Sequence, residues 1–265
     1  AALPVAGPAP ALVCTLQASI LHGQRIPSSL GLGPAAPLVI SAGVTAAACV
    51  GLGWLHAQTA TTAFALYSGR AGVGPWWRSA GPVHVELLSA ATFALGFRVF
   101  ALRELVLANL RAILVTVSVS ASSSLLLTPV VARAVGLAPN LCLMLSQRSV
   151  TTPFALAGAR ALAPDGQISG VLTASIVSIG AMYCALVGLR SLNLLGVDSK
   201  TQPVARGLAM GCSSYGVGTG TLLQQGEVEA AGISSAALVL MGVFHGFLCG
   251  HAPTVRLLRR LAGHP

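Results

Sequence analysis

Apolar runs of about twenty residues, joined by short connections rich in Gly, Pro and Arg, set the pattern of this chain. A helix needs about 20 apolar residues to cross the hydrocarbon core of a bilayer. The runs at 37–55, 83–102, 111–131, 167–195 and 229–249 each predict such a crossing. Within 111–131, Ser118, Ser120 and Ser122 to Ser124 can bond helix carbonyls or neighbouring helices, and Pro129 predicts a kink or a stop. A proline-bearing run at 3–21 reads as the end of a further span, cut short. Between 56 and 82 the hydropathy is weak. There, 62–67 predicts a short interfacial helix, and Trp76, Trp77 and Arg78 predict an anchor at headgroup depth.

Two stretches break the pattern. The first, 203–229, begins as a helix, with Pro203 in its first turn and Val204, Leu208 and Met210 apolar. It then meets Gly211, Gly216, Gly218 and Gly220 with Ser213, Ser214, Thr219 and Thr221 among them, and apolar sequence resumes only at Leu222. Glycine costs about 1 kcal/mol relative to alanine inside a helix, so an interruption is predicted. The second, 139–162, has a short apolar half, a polar centre from Gln147 to Thr152, then Pro153 and another short apolar half. A residue before proline is pushed out of helical geometry, which predicts a break at Thr152. Polar backbone at membrane depth is tolerated only where it is buried in protein or lines a cavity. The predicted fold is all-α: a polytopic transmembrane helical bundle with two discontinuous, broken helices. It is read as one domain over 1–265, with 1–34 a shortened first span and 250–265 a basic tail.

Composition narrows the class. Only 8% of the 265 residues are charged, against about 25% in soluble domains, so a soluble fold would lack a polar skin. The net charge of +9 comes from Arg spread through short connections. With no aromatic-interleaved basic patch, positive loops on one membrane side explain it better than nucleic acid. The six Cys lie scattered in apolar segments without CxxC or Cys/His ligand spacing and read as buried hydrophobes, so neither metal nor cofactor is expected. The chain does not begin with Met and shows no basic region ahead of an apolar core, so a trimmed or processed chain is expected.

The chemistry sits at the breaks. Half-helix N-termini carry partial positive charge and free N–H groups, which suit a carboxylate. Arg148 and Arg206 lie at or near them. Each either faces the site or snorkels to an interface. Glu227 and Glu229 are candidates for proton coupling, or else wet loop residues and N-terminal charges of the last helix. The GVGTG run at 216–220 lacks both a phosphate-loop Lys and a preceding strand. No HExxH or GxSxG motif is present, and no Ser sits beside a His base, so an enzyme is not expected.

Arg148 followed by Ser149-Val150-Thr151-Thr152-Pro153 resembles the KSVTTP signature of the LrgB/CidB membrane protein family. Pro203-Val204-Ala205-Arg206-Gly207 is similar to that family's DPIARG, and Gly218-Thr219 followed by Gly226 to Glu229 fits as well, as does Ser234-Ser235 before an apolar span. The resemblance covers about 33–249. Tyr215 stands where the family often has His, Thr221 replaces a common Arg, and 88–92 lacks the family's Gly-Pro. In bacteria the family implies holin-like proteins that affect murein hydrolase export and lysis. In plastids it implies glycolate/glycerate translocation across the inner envelope, in photorespiration, with the LrgB-like part following an LrgA-like part. The expected function is a secondary transporter of small 2-hydroxycarboxylates working by alternating access, with the holin-like function as the alternative. The expected substrate site is Arg148, Ser149, Thr151, Thr152, Pro153, Arg206, Ser213, Ser214, Tyr215, Gly216, Gly218 and Thr219. Expected partners are the lipid bilayer, a small carboxylate, an LrgA-like protein or fused domain, and further copies of the chain.

Overall fold

The computed structural model describes residues 36–55, 99–163 and 168–264, with isolated positions between 59 and 97. The expected first span at 3–21, the interfacial helix at 62–67, the aromatic anchor at 76–78 and most of 83–98 lie outside the described residues. Contacts divide the chain into two compact units, 1–97 and 98–265. In the first, α1 (Ala36–Leu55) is a helix of 20 residues.

The second unit opens with α2 (Arg103–Ala108) and α3 (Leu110–Ala134), followed by α4 (Pro139–Ser146), a 3-10 turn (Gln147–Ser149) and α5 (Thr152–Leu162). Next come α6 (Gly170–Leu194), α7 (Pro203–Gln224), α8 (Val228–Gly250) and α9 (Ala252–Ala262). Among the described residues there is no strand. By length and composition, α3, α6 and α8 can each cross a membrane.

α3 and α8 run in parallel. Gly232, early in α8, packs on Leu102 ahead of α3. At the opposite end, Arg133 Nη1 donates to the Arg260 carbonyl of α9 at 3.2 Å. Pro129 does not end or interrupt α3: it lies buried within the helix, which continues to Ala134. Proline inside a helix is tolerated in membrane proteins, where neighbouring groups re-satisfy the freed carbonyl.

Both interrupted stretches reverse direction. α4 enters from the Arg133 end, Val150 is extended, and α5 runs back out. Leu143 of α4, Leu162 of α5, Ala132 of α3 and Leu258 of α9 accordingly share one apolar cluster. The chain leaves helical geometry at Gln147 to Thr151, upstream of the expected Thr152, which already begins α5. α7 enters from the other end. Its single non-helical residue is Tyr215, at φ 50 and ψ −130. A Cβ on Gly218 would lie 2.9 Å from the Met210 carbonyl oxygen, although eight residues of straight helix span about 12 Å. Leu222 therefore returns to the level of Met210, Ala230 and Ala231, with which it clusters.

The glycines of α7 do not dissolve the helix as their propensity suggests, because they let helices touch. A Cβ at Gly207 would overlap the Ala230 carbonyl, and one at Gly211 would lie 2.6 Å from that of Ser234. The expected basic tail is also helical. α9 turns Leu258 and Ala262 inward and leaves Arg256 and Arg260 exposed.

Candidate functional site

The two hairpin tips, Gln147 to Thr151 and the Ser213 to Gly216 turn, meet inside the second unit beside the middle of α3. A cleft of about 690 Å³ opens there. Arg148 and Ser149 reach it from the first tip, and Cys212 and Ser213 from the second. α3 contributes Thr116, Ser120, Ser123, Ser124 and Thr128. These hydroxyls fall at helical spacing on one face, a stripe legible in the sequence but read there only as general helix bonding.

Arg148 is exposed and has no hydrogen bond or ion pair to another described residue. Its charge acts on the Tyr215 hydroxyl of the second tip and on Cys184 of α6. The hydroxyls of Ser149, Ser124 and Tyr215 are buried without a protein partner. Buried polar atoms are nearly always bonded, so a free guanidinium among orphaned hydroxyls has the donor set of an oxyanion site. Among the described residues no three His, Cys, Asp or Glu side chains gather to hold a metal.

Tyr215 occupies backbone space that matches the first central position of a type II′ turn, and a bulky residue there is strained. Beyond it, Thr219 Oγ1 donates to the Tyr215 carbonyl at 3.1 Å and shares a 2.8 Å bond with Ser234. Ser213 donates to the Ala209 carbonyl at 2.7 Å and neighbours the buried Ser214. Gly216 is exposed, and Gly218 sits between the arms. Thr151, Thr152 and Pro153 form the start of α5 and do not line the cleft.

Arg206 lies elsewhere, about 13 Å from Tyr215 by helical rise. It is 3% exposed and bonded at four of its five N–H groups. Nε and Nη2 donate to the two Glu227 oxygens, and Nη1 donates to Asn193 Oδ1 and the Val197 carbonyl, each at 2.8 Å. The cation and carboxylate considered separately in the sequence are thus each other's partner. Glu229 is exposed in the first turn of α8.

Sequence reasoning missed His245 and Gln147. Both are fully buried, and they share a 2.7 Å hydrogen bond between α8 and the first tip. The signal was available: an ionisable residue inside an apolar span.

The LrgB-like family profile matches residues 23–253. Plastidal glycolate/glycerate translocator 1, chloroplastic, of Arabidopsis thaliana is 33% identical over 180 residues, covering 67% of this chain and 33% of the relative. The matched stretch thus spans about a third of that relative's length. No solved structure matches the chain significantly. With its apolar helices and a family profile matched over most of its length, the chain belongs to the LrgB-like family of membrane proteins.

Proposed function

We propose that the chain is a secondary transporter for small 2-hydroxycarboxylates of the glycolate and glycerate class, working by alternating access and not as an enzyme. The observation that supports this best is Arg148, an unpaired guanidinium on a hairpin tip in a hydroxyl-lined cleft where two hairpins from opposite ends meet. A guanidinium binds a carboxylate through two parallel N–H bonds, and neighbouring hydroxyls suit a 2-hydroxyl group. In this reading Arg148 takes the carboxylate, with Ser149, Ser213 and the α3 hydroxyls around it. Thr151, Thr152 and Pro153 shape the first tip, and Ser214, Tyr215, Gly216, Gly218 and Thr219 shape the second. Arg206 holds the second hairpin in place with Glu227, and either hairpin opens the cleft to its own side. The translocator relative supports the substrate class. A plastid inner envelope location and an LrgA-like partner belong to the same reading through the family resemblance.

The test is uptake of labelled glycolate and glycerate into liposomes holding the purified chain, with lactate and an unrelated sugar as competitors. Saturable uptake, competed by hydroxyacids and not by sugar, is expected. Equal leakage of acids and sugar would overturn the reading in favour of a holin-like protein.

A further inference from the structure

His245 sits in the C-terminal third of α8 with no exposed surface. Its ring is oriented by a chain of hydrogen bonds that fixes which nitrogen carries the proton. Ser146 has one hydroxyl proton and spends it on the Leu143 carbonyl at 2.7 Å. It therefore accepts from the Gln147 amide nitrogen at 3.0 Å. That turns the Gln147 carbonyl oxygen, an acceptor only, towards His245 Nε2 at 2.7 Å. Nε2 must be the protonated nitrogen. Nδ1 is left as a bare acceptor, buried and without a partner. Gly158 keeps this arrangement open, since a Cβ there would overlap the Gln147 oxygen.

A second proton on Nδ1 would make a buried cation, and such a charge needs a counter-anion. Among the described residues none is placed beside it. Cys249, one turn along α8, packs beside Gln147 and Gly158. Arg148, next to Gln147, is itself a cation, and Tyr215 and Cys184 lie around it. α5 carries only Arg160, the charges of α3, Arg111 and Arg133, are near its ends, and α9 with its N-cap adds only basic groups, His251, Arg256, Arg259 and Arg260. Glu104 of α2 follows Leu102, which packs on Gly232, thirteen positions from His245. Asp198 and Glu227 lie in connections, Asp165 falls outside the described residues, and Glu229 is sixteen positions from His245 on α8, about 24 Å by helical rise.

We propose that His245 is the proton-binding residue of this carrier: it takes a proton on Nδ1 when a carboxylate occupies the cleft, so anion and proton are bound together. This rests on the transport reading above. His245 acts through the Gln147 tip, one residue from Arg148, and is a positioning residue that does not itself touch the carboxylate. Proton and anion arrive as a pair, so the buried charge is compensated only in the loaded state. Glu227, paired with Arg206, plays no part in the coupling.

The experiment measures labelled glycolate uptake by the full chain in liposomes between pH 8 and pH 5.5, with protein-free liposomes subtracted for leakage of the neutral acid. Wild type is expected to show a KM that falls by up to tenfold per pH unit. His245→Gln keeps an amide N–H for Gln147 but has no site for a second proton. It is expected to transport with a KM that no longer changes with pH. A trapped pH dye, needing no variant, is expected to report one proton entering with each glycolate. Saturable wild-type uptake without proton entry, or an unchanged pH dependence in H245Q, would overturn this proposal and leave the transport reading standing. Absence of saturable uptake at every pH overturns both.

Discussion

Arg206, in the first turn of α7, and Glu227, the residue ahead of α8, are joined by two parallel hydrogen bonds of 2.8 Å across 21 positions of sequence. The pair closes the second hairpin at its base, because it ties the point where α7 enters to the point where the chain leaves it. Gly196, in left-handed geometry after α6, turns the chain so that the Val197 carbonyl joins the same guanidinium. Breaking a buried pair costs about 3–5 kcal/mol, whereas replacing both members by apolar residues is often neutral. Arg206→Ala should lower the melting temperature of the detergent-purified protein sharply, with a loss near the low end of that range because Glu227 is 12% exposed. The double change Arg206→Met with Glu227→Met should recover most of the loss. A double variant no better than R206A would show that the pair does not act as a unit.

Arg148 carries no such structural duty. Arg148→Ala should leave the stability within about 0.5 kcal/mol of wild type, as for surface substitutions, while abolishing saturable uptake. Arg148→Lys keeps the charge and loses the two-pronged geometry, so uptake should fall without vanishing. The two variants are compared at equal protein incorporation, and wild-type uptake by R148A refutes the assignment.

The glycines of α7 divide by what surrounds them. Gly211→Ala puts a Cβ 2.6 Å from the Ser234 carbonyl and 2.9 Å from the Ala237 side chain. Overpacking of this kind costs about 1–3 kcal/mol. Gly216→Ala meets nothing within 4 Å and should be nearly neutral for stability. Thermal melts of the two variants side by side should differ clearly in midpoint.

Tyr215→Phe removes a buried hydroxyl that has no protein partner. Its stability should equal or exceed that of wild type, since no hydrogen bond is lost. If the hydroxyl serves the ligand beside Arg148, KM for glycolate should rise severalfold. An unchanged KM would remove Tyr215 from the site.

Asp198 caps the turn before α7, accepting from Lys200 N–H at 2.9 Å, Thr201 N–H at 3.0 Å and the Thr201 hydroxyl at 3.2 Å. The Thr201 backbone N–H, then that of Lys200, holds its carboxyl below the ordinary value of 3.8. A depressed acid stabilises the fold above its unfolded value, and this contribution is lost as pH falls through the folded one. Asp198→Asn should therefore melt slightly below wild type at neutral pH. The gap should close as pH falls below 3.8, and a constant gap would refute the cap.

The long spans could be read from the sequence because hydropathy alone sets them: α3, α6 and α8 begin and end within a few residues of their apolar runs. The polar centre ahead of Pro153 was legible for a local reason, but the break predicted at Thr152 falls upstream of it, where Val150 and Thr151 are extended. The reversals were not legible. Nothing local to Tyr215 says that α7 turns back; that direction is fixed by Arg206 on Glu227 and by Thr219 on Ser234, contacts across 21 and 15 positions of sequence. The α7 glycines count against a helix by propensity, yet tertiary contact overrides propensity where backbones touch. Of the residues expected at the site, those next to the breaks reach the cleft, namely Arg148, Ser149 and Ser213. Arg206 shares their residue type and not their surroundings, and its carboxylate partner lies across a reversal that could not be foreseen.

Opposed hairpins also dictate an order of assembly. α4 has 8 residues and α5 has 11, about half of what a stable crossing requires. No arm of this length can remain in lipid alone with a polar tip behind it, because every open backbone group there costs several kcal/mol. The three long helices must therefore insert before either hairpin can settle between them. The cleft with Arg148 comes into being last, when the two tips meet, so a substitution that loosens α3, α6 or α8 anywhere along its length yields an inserted protein without a site.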